Sequence, residues 1–74
     1  MTTYTLAGVR QMVQREIHRA GSLRTYAKHL GISAAYLSNV MTGRRPPGPK
    51  ILVPLGLEKI EPRYELRYRK VTND

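Results

Sequence analysis

The side chains of this chain best suited to specific chemistry are small hydrogen-bonding groups between Ser33 and Thr42. A helix that begins at Ser33 turns about 100° per residue, which places one set of side chains on an arc of roughly 140°: Ala34, Ser38, Thr42, Ala35 and Asn39. The Asn39 amide holds a donor and an acceptor in one plane, and Ser38 can donate or accept. Such an arc can recognise the edge of another molecule, but it holds nothing that breaks a bond.

Catalysis has little support elsewhere in the chain. There is no cysteine, the two histidines His18 and His29 stand apart, and only five residues are acidic. No cysteine, second histidine or paired carboxylate stands at metal-ligand spacing, and no glycine-rich phosphate loop is present. We therefore expect no enzyme activity, no cofactor, no metal site and no small-molecule ligand.

Two short helices joined by a glycine turn are predicted to position the arc. Ser22 and Ser33 can cap the two helix starts with their side-chain oxygens. Gly31 stands where a chain leaving a helix often needs a positive φ, and Ala27 is small where the second helix crosses the first. The inside of this corner is apolar, with Leu30, Ile32, Leu37 and Val40. The segment from Ser22 to Gly43 thus has the shape of a helix-turn-helix.

A first amphipathic helix is predicted from about Thr5 to Ala20, because apolar residues recur there at helical spacing: Leu6, Val9, Val13, Ile17 and Ala20. Three arginines fall largely off this stripe and are expected on a solvated face: Arg10, Arg15 and Arg19. After Gly43, a proline-rich loop must leave the helical path. A fourth helix can begin at Pro49, but Pro54 makes it short or bent, or makes it restart near Pro54.

The C-terminal tail changes to a two-residue repeat, in which Tyr64, Leu66 and Tyr68 alternate with charged residues. This alternation predicts a half-buried strand, which must pair with another strand. The candidates are the segment 1–5 and the same strand of a second protomer, in which case Tyr64, Leu66 and Tyr68 would form a dimer interface. The alternative is a basic tail that stays disordered until it meets DNA.

Charge favours a polyanionic partner. The 74 residues carry a formal charge of +8, with 13 basic and 5 acidic residues, and no Asp or Glu lies between Glu16 and Glu58. Such a composition suits DNA, RNA or an anionic membrane. The length fits one domain over 1–74, with a helical core over 5–57 and an extended tail over 58–74. No apolar run is long enough to span a membrane.

The corner resembles a known family. The run from Ala27 through Leu30-Gly31-Ile32-Ser33 to Tyr36-Leu37-Ser38 and Gly43 is similar to the Cro and phage-repressor (XRE) family of helix-turn-helix regulators. The likeness extends from Leu6 to Leu57. Two positions depart from the family pattern: Leu23 stands where a phosphate-contacting glutamine is frequent, and Pro54 lies inside the fourth helix.

The resemblance implies a mainly α, lambda-repressor-like domain that binds double-stranded DNA. It implies a Cro-like repressor of the bacterial cytoplasm, located at the nucleoid, that acts as a homodimer by occupying an operator. Two recognition helices would then stand about 34 Å apart. The positions that correspond to base readers are Ala34, Ala35, Ser38 and Asn39, with Ser33 and Thr42 at the margins. Because Asn39 suits adenine and the alanine methyl groups suit thymine, we expect an A·T-leaning site.

A second set of residues is predicted to contact phosphate, because these side chains flank the recognition helix or lie on the helix before it: Arg24, Lys28, Tyr36, Arg44, Arg45 and Lys50. For Tyr36 the alternative is a ring packed at the rim of the corner, and for Asn39 a plain solvent-exposed position. Two other functions compete with DNA reading. One is a basic protein that binds RNA or DNA nonspecifically or serves in an assembly, and the other is a helix-turn-helix used as a protein adaptor.

Overall fold

A computed structural model describes residues 3–60 and 67–71 of the chain. These residues form four α-helices, a 3₁₀ turn and three β-strands, in the order β1 (Thr3–Thr5), α1 (Leu6–Ala20), α2 (Leu23–Leu30), α3 (Ala34–Met41), α4 (Pro49–Leu52), the 3₁₀ turn (Val53–Leu55), β2 (Leu57–Ile60) and β3 (Arg67–Lys70). Helix predominates, which confirms the mainly α fold with a short C-terminal strand.

The first helix follows the apolar stripe. Thr5 caps it, since its Oγ1 accepts a hydrogen bond from the Gly8 N–H at 3.1 Å. Val9, Val13 and Ile17 are buried along one face. A fully buried side chain of this size contributes about 1.5–3 kcal/mol, so this stripe holds α1 to the rest of the domain. The predicted boundaries are confirmed to within one residue.

The next two helices form the expected corner. Ser22 caps α2 by accepting from the Thr25 N–H at 3.0 Å. Gly31 ends α2 with φ at +72°, a conformation that side chains bearing a Cβ rarely adopt. The Ile32 N–H then reaches back to the Ala27 carbonyl at 3.0 Å, and Ala27 is 1% exposed. A larger residue at Ala27 would have no space, as expected for the crossing of two helices.

The fourth helix is short, as Pro54 predicted. Pro49 begins α4 in its first turn, where a missing N–H costs nothing. The helix passes after Leu52 into the 3₁₀ turn that contains Pro54. Ile51 and Leu52 are nevertheless buried, so that α4 packs on the core.

The tail enters a three-stranded antiparallel sheet with the order β1-β3-β2. Tyr68 stands opposite Tyr4 on one side and opposite Lys59 on the other. The N-terminal segment is thus one partner of the tail, which was one of the two predicted possibilities. The second partner, β2, was not predicted, because its sequence Leu57-Glu58-Lys59-Ile60 does not alternate between apolar and polar residues.

The predicted dimerisation surface requires a correction. Tyr68 has no exposed surface and lies in the core, and β3 is the central strand with both of its edges paired within the chain. A strand with no free edge cannot add a strand from a second protomer. Tyr68 is therefore a core residue, whereas Tyr64 and Leu66 lie outside the described residues.

One hydrophobic core joins the helices to the sheet. Tyr68 and Leu57 reach it from the strands, and the helices contribute the other fully buried large side chains: Leu37, Ile51, Val9, Val13 and Val40. No described polar or charged residue is buried as a whole. The third helix is thus anchored by Leu37 and Val40, and its opposite face points away from the core.

Candidate nucleic-acid interface

The third helix begins at a side-chain cap. The Ser33 Oγ accepts a hydrogen bond from the Tyr36 N–H at 3.0 Å. Leu37 and Val40 are 0% and 1% exposed, which fixes the rotation of the helix about its axis. The face opposite these two residues is therefore turned to solvent.

Five of the six predicted base readers lie on this outward side. Ser33, Ala35, Ser38 and Thr42 are exposed, and Asn39 is half-buried. Ala34 is also partly buried, and it packs against the core. Ala34 and Asn39 stand at the two ends of the arc of roughly 140°, where partial burial is expected.

The main chain of Asn39 holds the end of α3. Its carbonyl accepts from the N–H groups of Arg44 and Arg45 at 2.8 and 3.2 Å, and from the Thr42 Oγ1 at 3.2 Å. The side-chain amide of Asn39 is separate from these bonds and makes no hydrogen bond to any described residue. The backbone bonds also fix where the exposed side chains of Arg44 and Arg45 leave the helix end.

The loop after α3 is held by Tyr36. The Tyr36 hydroxyl accepts from the Gly48 N–H at 3.0 Å and lies 3.4 Å from the Pro46 carbonyl, to which it donates. The Tyr36 ring is half-buried and packs against the core. This matches the alternative of a ring packed at the rim of the corner. The hydroxyl proton is already engaged by a carbonyl, so Tyr36 is poorly placed to donate to a phosphate.

The other predicted phosphate contacts are exposed. Arg24 and Lys28 lie four residues apart on α2 and therefore on one face of that helix. Lys50 extends from α4 to the turn between α2 and α3, where its Nζ donates to the Gly31 carbonyl at 3.4 Å. The structure thus brings Lys50 to the turn of the corner, while Arg44 and Arg45 stand at the other end of α3.

A residue near this end was not predicted to take part. Arg10 is half-buried, and its Nη2 lies 3.2 Å from the place where a Cβ on Gly43 would stand. Its cation therefore sits just beyond the C-terminus of α3, where the helix dipole favours positive charge. The expectation of a solvated face is wrong for Arg10, although Arg15 and Arg19 are exposed. The sequence feature that could have predicted the partial burial of Arg10 is its spacing, four residues after Leu6 and three before Val13, at the border of the apolar stripe.

The carboxylates that the structure describes lie on α1 and in the sheet, not on α2, α3 or α4. The two acids in the described ranges are both ion-paired with arginine: Glu16 with Arg19 at 3.2 Å on α1, and Glu58 with Arg69 in the sheet. Exposed pairs of this kind add little stability, but each offsets its own arginine. Neither carboxylate forms an ion pair with the basic side chains of α2, of α4 or of the loop over residues 42–48, which we call the Arg44 loop. The described residues therefore carry a net positive charge around the corner.

Two buried tyrosines, Tyr26 and Tyr68, lie in the core on which the corner packs. Burial raises the pKa of Tyr26 on α2, and the nearby Glu16 carboxylate raises it further. Burial also raises the pKa of Tyr68, while the positive charge of Arg10 acts in the opposite direction. Both rings are neutral near pH 7 and serve as packing surface.

Over 3–60 and 67–71, no three potential ligands gather to hold a metal ion, and no helix is long and apolar enough to cross a membrane.

No protein-family model matches the chain, and neither a curated protein nor a solved structure does. The candidate interface is therefore defined by the residues of this chain: the exposed side of α3, the Arg44 loop and the basic face of α2.

Proposed function

We propose that this protein is a sequence-specific regulator that binds double-stranded DNA, a Cro-like repressor that acts as a homodimer by occupying its operator. The observation that carries the proposal is the outward face of α3. Ser38 and Asn39 present hydrogen-bonding groups there, and the rotation of the helix is set by two fully buried residues on its other side. Rigid presentation of a few polar groups is what reading of base edges requires.

The basic residues around α3 support the same proposal. Arg44 and Arg45 follow the helix at a geometry fixed by the Asn39 carbonyl, and Arg24 and Lys28 lie on the preceding helix. Contacts to phosphate orient a protein on the duplex but carry no sequence information, whereas contacts to base edges do. The chain separates these two kinds of residue, which favours specific binding over a purely electrostatic role.

A homodimer follows from the sparseness of the reading face. With two alanines among its positions, one copy of α3 can make only a few bidentate contacts, each of which discriminates by about 1–3 kcal/mol. Two copies on a two-fold axis would double these contacts and read two half-sites about 34 Å apart.

Selection of bound duplexes from a random DNA pool tests this function. We expect an A·T-leaning motif repeated with two-fold symmetry, with half-site centres about 10 base pairs apart. Binding without any enriched sequence would favour the nonspecific alternative. Absence of binding at low salt, where nonspecific contacts are strongest, would exclude both.

A further inference from the structure

Two large hydrophobic residues of the described chain are exposed, and the main chains of both are bonded to the same glycine. Val53 is 69% exposed and Val71 is 45% exposed, and they are the large hydrophobic residues that the described ranges leave in solvent. Both are tied to Gly56, whose N–H donates to the Val53 carbonyl at 2.9 Å and whose carbonyl accepts from the Val71 N–H at 2.7 Å. The two valines therefore flank one turn at the base of the sheet.

A groove of about 390 Å³ opens beside Val53. It is largely apolar and is lined chiefly by Pro46, Pro47, Pro49, Leu52, Val53 and Leu57. We call it the Val53 groove. Its apolar floor comes from Leu52 and Leu57, which are buried, and its rim includes Val53. Exposed apolar surface of this kind, next to a rigid concavity, is typical of an interaction site.

One wall of the groove, formed by residues 46–49, is braced within the chain. The hydroxyl of Tyr36 holds the Gly48 N–H between Pro47 and Pro49, and each proline ring restricts its own φ. Little conformational entropy is therefore lost when a partner covers this surface.

Charge indicates which partner fits. Each copy carries a formal charge of +8, so that two copies repel each other over most of their surface. The Val53 groove is different, because its lining is mostly apolar and its charged residues are Lys59 and Glu58, whose carboxylate is paired with Arg69. A second copy therefore meets little repulsion there and brings the same apolar rim, which suits the self-complementary contact of a two-fold dimer.

We infer that the Val53 groove is the homodimer interface of this chain, with Val53 of each protomer packed at the groove of its partner. This inference rests on the proposed function, which requires two copies, and on the pairing of both edges of β3 within one chain. The groove begins at Pro46, directly after Arg45. The contact between protomers would therefore set the separation of the two basic loops and, through them, of the two α3 helices.

Sedimentation of Val53→Arg tests the interface. Val53 is mostly exposed, so the substitution leaves the core intact, and thermal unfolding verifies this. Gln14→Arg is the matched control, because it adds the same charge at an exposed position on α1. We expect dimers of wild type and Gln14→Arg and a monomer of Val53→Arg. A dimeric Val53→Arg, or a wild type that remains monomeric up to its solubility limit, would overturn the inference.

A second measurement separates this inference from the proposed function. Binding to a duplex with one half-site requires α3 but no second protomer, and Val53→Arg should retain it while losing tight binding to the two-site duplex. If Val53→Arg abolishes the dimer and wild type binds no duplex, the interface stands and the proposed function fails. If wild type binds its duplex and Val53→Arg stays dimeric, the function stands and the interface is elsewhere.

Discussion

The hydroxyl of Tyr36 accepts a hydrogen bond from the Gly48 N–H across twelve residues of sequence, at 3.0 Å. This bond joins α3 to the start of α4 and closes the proline-rich loop between them. Arg44 and Arg45 lie inside that loop, so that the backbone that carries them is held at both ends. The same bond shapes one wall of the Val53 groove.

Tyr36→Phe should lower the free energy of unfolding by about 1 kcal/mol, because the partly buried Gly48 N–H loses its acceptor. Urea titration of the wild type and the variant measures this. Affinity for all duplexes should fall to a similar extent, since the loop that carries the phosphate contacts becomes less ordered. A loss confined to the selected sequence would instead make Tyr36 a base reader.

Gly48→Ala provides the complementary test. A Cβ at Gly48 would stand 2.9 Å from the Tyr36 hydroxyl oxygen, which is too close, whereas the glycine has no positive φ to maintain. The substitution should therefore destabilise the wild type and cost clearly less in a Tyr36→Phe background. Additive effects in this double-mutant cycle would show that the two positions do not interact.

Asn39→Ala should cost about 1–3 kcal/mol on the selected site and little on random DNA. The bonds to Arg44 and Arg45 use the main-chain carbonyl of Asn39 and survive the change. Competition binding with both duplexes measures the difference. Gln11→Ala removes an exposed amide from α1 and is the matched control, with no expected effect. Equal losses on both duplexes would remove Asn39 from base reading.

Arg44→Gln and Arg45→Gln should each weaken binding to all duplexes and lower the slope of log K against log salt by about one unit. When a phosphate contact is lost, the counterion that binding would have released stays on the DNA, and the affinity depends less on salt. Arg19→Gln is the control, because Arg19 is exposed on α1 and paired with Glu16. A slope equal to that of the wild type would exclude the substituted arginine as a phosphate contact.

Alkaline pH should destabilise the protein through Tyr68. Burial raises the pKa of Tyr68 in the folded state above the ordinary value of 10.0. The folded state thus holds the phenol proton more tightly than the unfolded state, and this contribution is complete below pH 10 and is lost as pH rises toward the folded pKa. Urea unfolding from about pH 8 to 11 measures the decline.

Tyr68→Phe should make that decline shallower, because one ionising phenol is removed while Tyr26, whose pKa burial also raises, remains. Below pH 10 its stability should stay near that of the wild type, since the Tyr68 hydroxyl makes no hydrogen bond within the described part of the chain. An unchanged pH dependence would show that Tyr68 does not ionise on unfolding in this range.

The helical elements followed from local rules. Thr5, Ser22 and Ser33 stand at helix starts as caps, and Gly31 ends α2. Each of these choices depends on hydrogen bonds or backbone angles within about four residues, which a sequence displays directly. The outward arc of α3 followed in the same way, because helical periodicity assigns Leu37 and Val40 to the inside.

Strand pairing depended on contacts that no local rule contains. Arg67–Lys70 had the pattern of a half-buried strand, yet only the folded chain shows that β1 and β2 occupy both of its edges. β1 lies more than sixty residues before β3 in the sequence. Which strands pair depends on how the helices between them pack. Tyr68 therefore lies in the core, and its predicted place at a dimer interface was wrong.

By itself, then, the sequence determined the capped corner, the polar arc on α3 and the positive charge around them, because each depends on residue type and short-range spacing. The tertiary structure alone decided that Arg10 lies beside Gly43, that Tyr36 closes the loop and that Val53 stands exposed beside a groove. These are contacts between distant segments. They are selected by the packing of the whole core, which couples all of the elements at once.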